Sequence, residues 1–238
     1  MQDQQLVVVI TGAGRVVGGI RNDSSPGVTE LKASSLGAGS KLLLVKLESS
    51  SLTDAKSAME QITAAGIDHI DIVIANAGLS PPVAPLETVD LEEVASVLKI
   101  NALGPLALYQ ASHSLLEKSK NAKFVSISSA AGSIATMESI GSYVAPAYSI
   151  SKAALNWITL AAHCGNKWLT AFAVNPGLVA TDMGNRTARY LGMERAPYTK
   201  EYSAERVISL YSDWDSVEET LASNNEKLPI ATPALGAT

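Results

Sequence analysis

Short runs of apolar residues, many of them β-branched, alternate along the chain with segments whose apolar residues recur at helical spacing. The runs are almost continuous in apolar residues, which is typical of strands covered on both faces of a sheet. The predicted strands lie at residues 6–11, 41–47, 70–75, 123–129 and 169–174. Strands that alternate with helices in this way predict an α/β fold built on a doubly wound parallel sheet.

The segments between the predicted strands carry helix start and stop signals. Ser51 is a candidate N-cap with Asp54 three residues later, as in a capping box, and Gly66 supplies a stop signal. Further helices are predicted at 90–101, 105–120 and 149–163. No repeat or linker-like stretch interrupts the pattern, so residues 1–238 are predicted to form one domain with a loose tail at 228–238.

Composition and charge narrow the class of protein. Hydrophobic residues make up 47% of the 238 residues, and the net charge of -5 argues against a nucleic-acid-binding surface. The one cysteine, Cys164, and three scattered histidines offer neither an internal disulfide nor a Cys-rich metal site, so no metal is expected. No apolar stretch reaches the roughly 20 residues of a membrane helix, and the N-terminus lacks signal-peptide features. A cytoplasmic protein is predicted.

Polar and glycine-rich motifs follow three of the predicted strands. The carboxyl ends of parallel strands meet at one edge of the sheet, and open α/β sheets bind their ligands there. The motifs are IANAG at 74–78, SISSAAGS at 126–133 and NPGLVATDM at 175–183. Glycine lets the backbone approach a ligand closely, and the serine and threonine hydroxyls are hydrogen-bonding groups. These motifs are therefore predicted to line one site, although each taken singly is also an ordinary turn.

The segment YSISK places Tyr148 and Lys152 four residues apart on a predicted helix. Side chains at this spacing share one helix face. A nearby ammonium favours the phenolate, so it lowers a tyrosine pKa from about 10 toward the range of a general acid or base. Taken alone, the pair is more typical of a surface tyrosine beside a solvated lysine.

In this order, the motifs resemble those of the short-chain dehydrogenase/reductase family. The matching segments are NAG at 76–78, NALG at 101–104, the ISS serines, YSISK at 148–152 and PGLVAT at 176–181. The resemblance covers residues 68–183 and implies a Rossmann-type fold. Longer stretches, such as AYSISKAALNW and VNPGLVATDMGN, resemble more narrowly the fungal ketoreductases related to norsolorinic acid ketoreductase.

The resemblance implies a role for each matched residue. Tyr148 would protonate the carbonyl oxygen as a nicotinamide cofactor delivers hydride, and Lys152 would bind the nicotinamide ribose and lower the Tyr148 pKa. Ser129 would orient the carbonyl, Asn101 would hold a water in a proton relay, and Thr181 would contact the nicotinamide carboxamide. The other cofactor-binding residues that it implies are Asn76, Ala77, Gly78, Pro176, Gly177 and Val179.

Two segments near this predicted site differ from the family or lack a diagnostic residue. Ser129 precedes Tyr148 by 19 residues, a longer spacing than the family's usual one, which predicts an enlarged loop over the site. Ser128 and Ser133 therefore stay open as alternatives for the active serine. Residues 181–203 are polar and rich in arginine and tyrosine, and the resemblance implies that they form a substrate lid, with a solvated loop as the alternative.

The glycine-rich segment TGAGRVVGGIRND, which begins at Thr11, departs most from the family. The family reads TGxxxGxG, and this chain has Gly12 but Val16 in place of the middle glycine. Only 29 residues separate Thr11 from Lys41, too few for two crossovers of at least about 10–12 residues with a strand between them. Either the second strand is reduced, or residues 16–20 form it and the first helix is missing. We favour the missing helix.

Two arginines in this segment bear on the cofactor. Arg21 lies just past residues 16–20, where NADP-preferring relatives place an arginine against the ribose 2′-phosphate, and Arg15 fits the basic position within the glycine loop. Both favour NADP(H) over NAD(H). Glu48 follows the third strand, where relatives often place an aspartate facing the adenine. A missing first helix would remove the N-terminal amides that hold the pyrophosphate.

The predicted activity is therefore an NADP(H)-dependent reduction of a ketone or aldehyde, or the reverse oxidation. The alternative is a truncated, catalytically impaired relative with a binding or regulatory role. The expected partner is a small carbonyl or alcohol of an aromatic or polyketide-like kind, with no nucleic acid and no membrane. The family pairs through its two long helices, here 103–118 and 149–163, so a homodimer or homotetramer is expected.

Overall fold

The computed structural model describes the backbone of residues 7–11 and 15–212. Its strands are β1 (Val7–Thr11), β2 (Arg15–Ile20), β3 (Lys41–Lys46), β4 (Ile72–Ala75), β5 (Ala122–Ile127) and β6 (Leu169–Val174). Its α-helices are α1 (Pro26–Ala33), α2 (Asp54–Ala64), α3 (Leu91–Leu98), α4 (Gly104–Leu116), α5 (Met137–Ile140), α6 (Pro146–Gly165), α7 (Asp182–Tyr190) and α8 (Lys200–Ser212). The predicted tail at 228–238 lies outside the described residues.

The strands form one six-stranded sheet in the order β3-β2-β1-β4-β5-β6. β2 pairs in parallel with β3, and β5 pairs in parallel with both β4 and β6. The chain crosses from one outer strand, β3, to β4 on the other side of β1, as a doubly wound sheet requires. The five predicted strands agree with the structure to within two residues at each end, because strands buried on both faces leave nearly continuous apolar runs.

β1 is the exception to the predicted parallel sheet, since it runs antiparallel to both of its neighbours. Thr11 at the end of β1 pairs with Arg15 at the start of β2, and only three residues lie between them. A parallel crossover needs a dozen or more residues. A connection of three residues therefore joins antiparallel strands. The second interpretation is thus confirmed: residues 16–20 belong to the second strand, and no helix precedes it after β1 among the described residues.

The helix α2 begins and ends close to its predicted signals. The Ser51 hydroxyl accepts a hydrogen bond from the Asp54 amide at 3.3 Å and donates one to the Asp54 carboxylate at 2.6 Å. Gly66 follows the helix with a φ of 78°, a left-handed conformation that favours glycine. The helix itself starts at Asp54 with Thr53 as its N-cap, two residues later than a Ser51 N-cap would place it.

The two faces of the sheet carry separate apolar clusters. On one face, buried residues of β2 to β6 pack with α2, α4 and α6, and Phe124 of β5 is fully buried there. On the other face, Val125, Phe172 and Val174 pack against Val207 of α8. The larger cluster anchors α4 and α6, which are the helices that place the polar residues described below. No helix within the described part of the chain is long and apolar enough to cross a membrane.

Candidate active site

Tyr148 and Lys152 occupy successive turns at the start of α6. Pro146 at the first turn of this helix has no N–H to leave unpaired, which favours a helix start here. The Lys152 Nζ lies 5.6 Å from the centroid of the Tyr148 ring. It also donates a hydrogen bond of 2.7 Å to the carbonyl oxygen of Ile127, the last residue of β5. Tyr148 and Lys152 therefore lie at the carboxyl edge of the sheet, as the sequence predicted.

The structure distinguishes Ser129 from Ser128, and it places Ser133 at the end of the short turn Ala130–Gly132. The Ser129 side chain lies close enough to Tyr148 to affect its pKa, and its Oγ accepts a hydrogen bond of 3.2 Å from the Ala131 amide. Ser128 is buried and points to the other side of the chain, where its hydroxyl donates to the Asn156 Oδ1 at 2.6 Å. Among the described residues, Ser129 is thus the serine placed beside the tyrosine.

The pKa of Tyr148 differs from the sequence expectation. Burial raises the pKa of Tyr148, and the hydrogen bond with Ser129 opposes that rise. The expected lowering by Lys152 is not found, because desolvation is the largest effect and the lysine is itself buried. Burial lowers the pKa of Lys152 from 10.5 to about 8. Below that pH the pair therefore consists of a neutral phenol beside an ammonium group.

Asn101 is buried in a short π-helical segment, Lys99–Leu103, between α3 and α4. Such segments occur frequently at functional sites because they displace one side chain from the helical register. The Asn101 amide bonds to both backbone groups of Leu79, each at 2.8 Å, and its Nδ2 also donates to the Ser151 Oγ at 3.0 Å. Ser151 in turn donates to the Tyr148 carbonyl at 2.7 Å. The Asn101 side chain thus ties the loop after β4 to the tyrosine-bearing helix, and its role in holding a water stays a prediction.

A cleft of about 670 Å³ opens at the carboxyl edges of β2, β3 and β4. Arg21 follows β2 and Glu48 follows β3 there, and the two side chains form an ion pair of 3.7 Å. Ala77 and Gly78 line the opposite wall of the cleft, whereas Asn76 follows β4 directly and is half-buried. The cleft thus contains the predicted arginine and two residues of the predicted NAG motif.

Arg15 lies away from this cleft, contrary to the sequence expectation. It begins β2, whereas Arg21 follows the same strand, so roughly 17 Å of extended chain separates the two ends of the strand. The Arg15 side chain donates to the Gly66 carbonyl at 3.1 Å, after the end of α2. The error arose from the assumption that β1 is parallel to the other strands. Gly12 lies outside the described residues. Thr11 and Arg15, the described residues on either side of that gap, pair at the amino edge of β2.

The motif after β6 forms a sharp turn into α7. Gly177 has a φ of 79°, and a Cβ there would fall 2.9 Å from the ring of Tyr198. Val179 forms a parallel bridge with Tyr198, and the Thr181 hydroxyl accepts a hydrogen bond of 3.0 Å from the Gly184 amide as the N-cap of α7. Pro176 accepts a hydrogen bond of 3.0 Å from Ser203. These residues therefore position α7, three of whose residues line the cleft.

Sequence patterns missed two contacts at this site. The Arg186 side chain of α7 donates to the Ser80 carbonyl, which joins α7 to the loop after β4 across the cleft. Asn156 bonds the serine-bearing turn after β5. Arg186 belongs to no quoted motif, and Asn156 lies in the stretch AYSISKAALNW without a predicted role. The bonded groups lie 106 and 24 to 28 residues apart in sequence. No group of three or more metal-binding side chains occurs among the residues that the structure describes.

Comparison with known proteins agrees with this geometry. The family model for short chain dehydrogenases matches residues 7–190. The chain belongs to the short-chain dehydrogenase family. A short-chain dehydrogenase of Neurospora crassa, srdF, is 48% identical over 198 residues, which cover 82% of this chain and 78% of that protein. Norsolorinic acid ketoreductase of Aspergillus parasiticus is 34% identical over 215 residues, which cover 82% and 79%.

A solved structure shows the same fold. The carbonyl reductase from chicken fatty liver, whose crystal structure has NADPH bound, superimposes with a TM-score of 0.65 at 28% identity, over 72% of this chain and 68% of that one. The predicted resemblance to norsolorinic acid ketoreductases is confirmed by the sequence relatives. This short-chain dehydrogenase is accordingly an oxidoreductase, and the residues that match the family motifs meet at one edge of its sheet.

Proposed function

We propose that the chain transfers hydride between NADP(H) and a small ketone or aldehyde, or the corresponding alcohol, with Tyr148 as the general acid or base. One observation carries this proposal: Ser129, Tyr148 and Lys152 meet at the carboxyl edge of β5. Reduction of a carbonyl requires a proton donor for its oxygen and groups that stabilise the charge that develops there. The neutral phenol is the proton donor, and the adjacent hydroxyl and ammonium groups stabilise the charge.

The residues at both ends of the site fit a nicotinamide cofactor. At one end, Lys152 is buried beside Tyr148 and offers N–H donors for the ribose hydroxyls. At the other end, Arg21 lines the cleft, and its guanidinium matches a phosphate such as the 2′-phosphate of NADP(H). Thr181, at the start of α7, is the residue we assign to the nicotinamide carboxamide.

The chemistry divides between cofactor and protein. The cofactor, when bound, supplies the hydride that forms the new C–H bond at the carbonyl carbon. Tyr148 gives its proton to the carbonyl oxygen, since its raised pKa keeps it protonated at neutral pH. Ser129 donates a hydrogen bond to the same oxygen, and Lys152 stabilises the phenolate that remains. In the oxidation direction, the phenolate of Tyr148 accepts the proton of the alcohol.

The substrate is proposed to be apolar and of an aromatic or polyketide-like kind. The loop between Ser129 and Tyr148 exposes large apolar side chains, which are costly to leave in water and suit an apolar ligand. They are Ile134, Met137, Ile140 and Tyr143, of which Ile134 is 78% exposed. Residues 181–203, which include α7, form the proposed lid. The similarity to norsolorinic acid ketoreductase supports the same substrate class.

A second candidate is a catalytically impaired member of the family. The antiparallel β1 supports it, because Thr11 and Arg15 pair at the amino edge of β2, away from the cleft. In an intact dinucleotide-binding loop, the amides at a helix N-terminus hold the pyrophosphate. The described residues of this chain have no such helix between β1 and β2. We therefore expect NADPH to bind more weakly than to an intact reductase.

Two measurements test these alternatives. NADPH consumption with aromatic ketones is expected in the purified chain and is lost in Tyr148→Phe, while the far-ultraviolet circular dichroism of the variant stays unchanged. Unchanged turnover in that variant contradicts the role of Tyr148. A titration with NADPH then compares the chain with a version that carries a helix inserted after Arg15. Equal affinities contradict the impairment, and turnover only with the inserted helix supports it.

The remaining proposals concern the molecule's surroundings. We propose a cytoplasmic location and pairing of two copies through α4 and α6. The outer face of α6 exposes Trp157, Leu160 and Ile150, and Trp157 is 72% exposed. Large apolar side chains in a row on one helix are typical of a protein interface. Sedimentation of Trp157→Glu is expected to show a shift toward monomer, and an unchanged mass contradicts pairing through this face.

A further inference from the structure

Asn156 makes two hydrogen bonds to the turn that carries Ser129. Its Oδ1 accepts a hydrogen bond of 2.6 Å from the Ser128 hydroxyl. Its Nδ2 donates one of 3.3 Å to the Gly132 carbonyl. The first partner immediately precedes Ser129, and the second follows it by three residues. One amide on α6 therefore brackets the turn on both sides of the serine.

The chemistry of these partners sets the orientation of the amide. A carbonyl oxygen only accepts, so the group facing Gly132 must be the NH₂ of Asn156 and the group facing Ser128 must be its oxygen. Ser128 is 2% exposed and must therefore use its hydrogen on Asn156. A side chain that both donates and accepts at this position satisfies both partners, whereas a carboxylate or a methyl group does not.

The backbone confirms how closely the turn sits on α6. A Cβ at Gly132 would fall 2.6 Å from the carbonyl carbon of Lys152 and 2.9 Å from the Ala153 nitrogen. The turn is thus packed directly on the part of the helix that carries the lysine. Asn156 lies one helical turn beyond Lys152 and two beyond Tyr148. The distance between Ser129 and Tyr148 therefore depends on a contact that Asn156 maintains.

From this geometry we infer that Asn156 is a positioning residue for Ser129: it holds the serine-bearing turn against α6 so that the Ser129 hydroxyl meets Tyr148. The inference rests on the proposed function for its consequence in turnover, and on the structure alone for its consequence in the titration of Tyr148. Because the Ser129 hydrogen bond lowers the Tyr148 pKa, loosening the turn is expected to raise that pKa further.

The test compares Asn156→Ala with a matched variant, Thr159→Val. The Thr159 hydroxyl donates to the Ser126 Oγ at 2.7 Å, so it joins the same helix to the same strand, and both side chains are buried. It does not touch the serine-bearing turn. Asn156→Ala loses part-buried hydrogen bonds and Thr159→Val loses a buried one, so both variants are expected to unfold at lower temperature. If Asn156→Ala does not fold, Asn156→Asp takes its place, because it keeps the acceptor for Ser128 and loses only the donor to Gly132.

The first readout needs no turnover. The Tyr148 titration is followed as the difference in phenolate absorption between each protein and its Tyr148→Phe counterpart. The Tyr148 pKa is expected to rise in Ser129→Ala and in Asn156→Ala and to stay unchanged in Thr159→Val. In the double variant that combines Ser129→Ala with Asn156→Ala, it is expected to equal the pKa of Ser129→Ala alone. A pKa that Asn156→Ala leaves unchanged overturns the inference, as does one that Ser129→Ala leaves unchanged.

The second readout is turnover. The kcat of Asn156→Ala is expected to fall by about 10- to 100-fold, the effect of a misplacement of roughly 1 Å, with little change in the KM for NADPH. In the double variant with Ser129→Ala, kcat is expected to equal that of Ser129→Ala alone; losses that multiply overturn the inference. A wild-type chain without turnover contradicts the proposed function, and the titration then decides the role of Asn156 separately.

Discussion

Arg21 and Glu48 form an ion pair of 3.7 Å across the ends of two adjacent parallel strands. Both side chains line the cleft, so the arginine that the proposed function assigns to the 2′-phosphate already has a carboxylate partner. A phosphate at this position competes with Glu48 for the guanidinium and is repelled by its charge. Under the proposed function, we therefore expect this ion pair to set the affinity of the cleft for NADP(H) relative to NAD(H).

Substitutions on either side of the pair are expected to change cofactor preference in opposite directions. Arg21→Ala removes a charge-assisted bond, which contributes roughly 1.5–3 kcal/mol, so NADPH affinity falls by about 10- to 100-fold while NADH affinity changes little. Glu48→Gln removes the competing charge and strengthens NADPH binding. Fluorescence titrations with both cofactors measure these affinities.

Arg15→Ala is the control for these titrations, since it removes the same charge from the opposite end of the same strand. NADPH affinity is expected to stay at the wild-type value, because Arg15 bonds to the Gly66 carbonyl away from the cleft. A loss of NADPH affinity in Arg15→Ala as large as in Arg21→Ala contradicts this position of Arg15 and indicates that Arg15 contacts the cofactor.

Lys152→Met is expected to stabilise the fold at neutral pH while abolishing turnover. Burial lowers the Lys152 pKa from 10.5 to about 8, so the charged lysine costs the folded chain on the order of 3 kcal/mol below pH 8. The lost hydrogen bond to the Ile127 carbonyl offsets about 1 kcal/mol of the gain. Urea unfolding near neutral pH is therefore expected to show a free energy of unfolding about 2 kcal/mol higher in the variant.

The gain depends on pH in a defined direction. Between about 8 and 10.5, the folded chain has released the Lys152 proton and the unfolded chain still holds it. The stability of the wild-type chain therefore rises with pH across this window, and the advantage of Lys152→Met disappears. An advantage that stays constant up to the alkaline limit contradicts a depressed pKa at this lysine.

The rate of carbonyl reduction is expected to fall as the pH rises through about 8, where Lys152 loses its charge. Without that charge, the phenolate left by proton transfer is less stable. Because burial raises the Tyr148 pKa above 10, the tyrosine still holds its proton there and does not cause this limb. A pH profile of kcat measures it, and Lys152→Arg, whose side chain stays charged, is expected to remove the decline if it retains turnover.

Most of the fold could be predicted because its buried strands leave apolar runs, and the helix pair Tyr148 and Lys152 could be predicted because a spacing of four is local. The direction of β1 could not, since an apolar run does not show which way a strand points. The number of residues between Thr11 and Lys41 indicates a missing helix. That Arg15 lies at the amino edge of the sheet follows only from the pairing of Thr11 with Arg15 in the structure.

The choice between adjacent serines also needed the structure. Consecutive residues of an extended chain point to opposite sides, so one of Ser128 and Ser129 had to face away from Tyr148, and the sequence did not indicate which. The same holds for Asn156, whose partners are separated from it by 28 and 24 residues. Contacts of this kind depend on how helices and turns pack after the strands are in place.

Gly184→Ala is expected to detach α7 from the turn after β6. A Cβ at Gly184 would fall 1.8 Å from the Val179 carbonyl oxygen, so the helix must move and its N-cap bond from the Gly184 amide to Thr181 is lost. Losing a cap of this kind costs about 1 kcal/mol, and displacing the helix adds to that. Because α7 lines the cleft, the Kd for NADPH is expected to rise together with a lower melting temperature.

Gly165→Ala separates this effect from that of an added methyl group. It lies at the end of α6, and a Cβ there has no heavy atom within 4 Å, so neither the melting temperature nor the Kd is expected to worsen. Arg186→Ala tests the second attachment of α7, because Arg186 bonds this helix to the Ser80 carbonyl across the cleft. A raised Kd in both Gly184→Ala and Arg186→Ala supports a role for α7 in holding the cofactor. Normal binding in both contradicts it, since the helix is then free to move without consequence for the cleft.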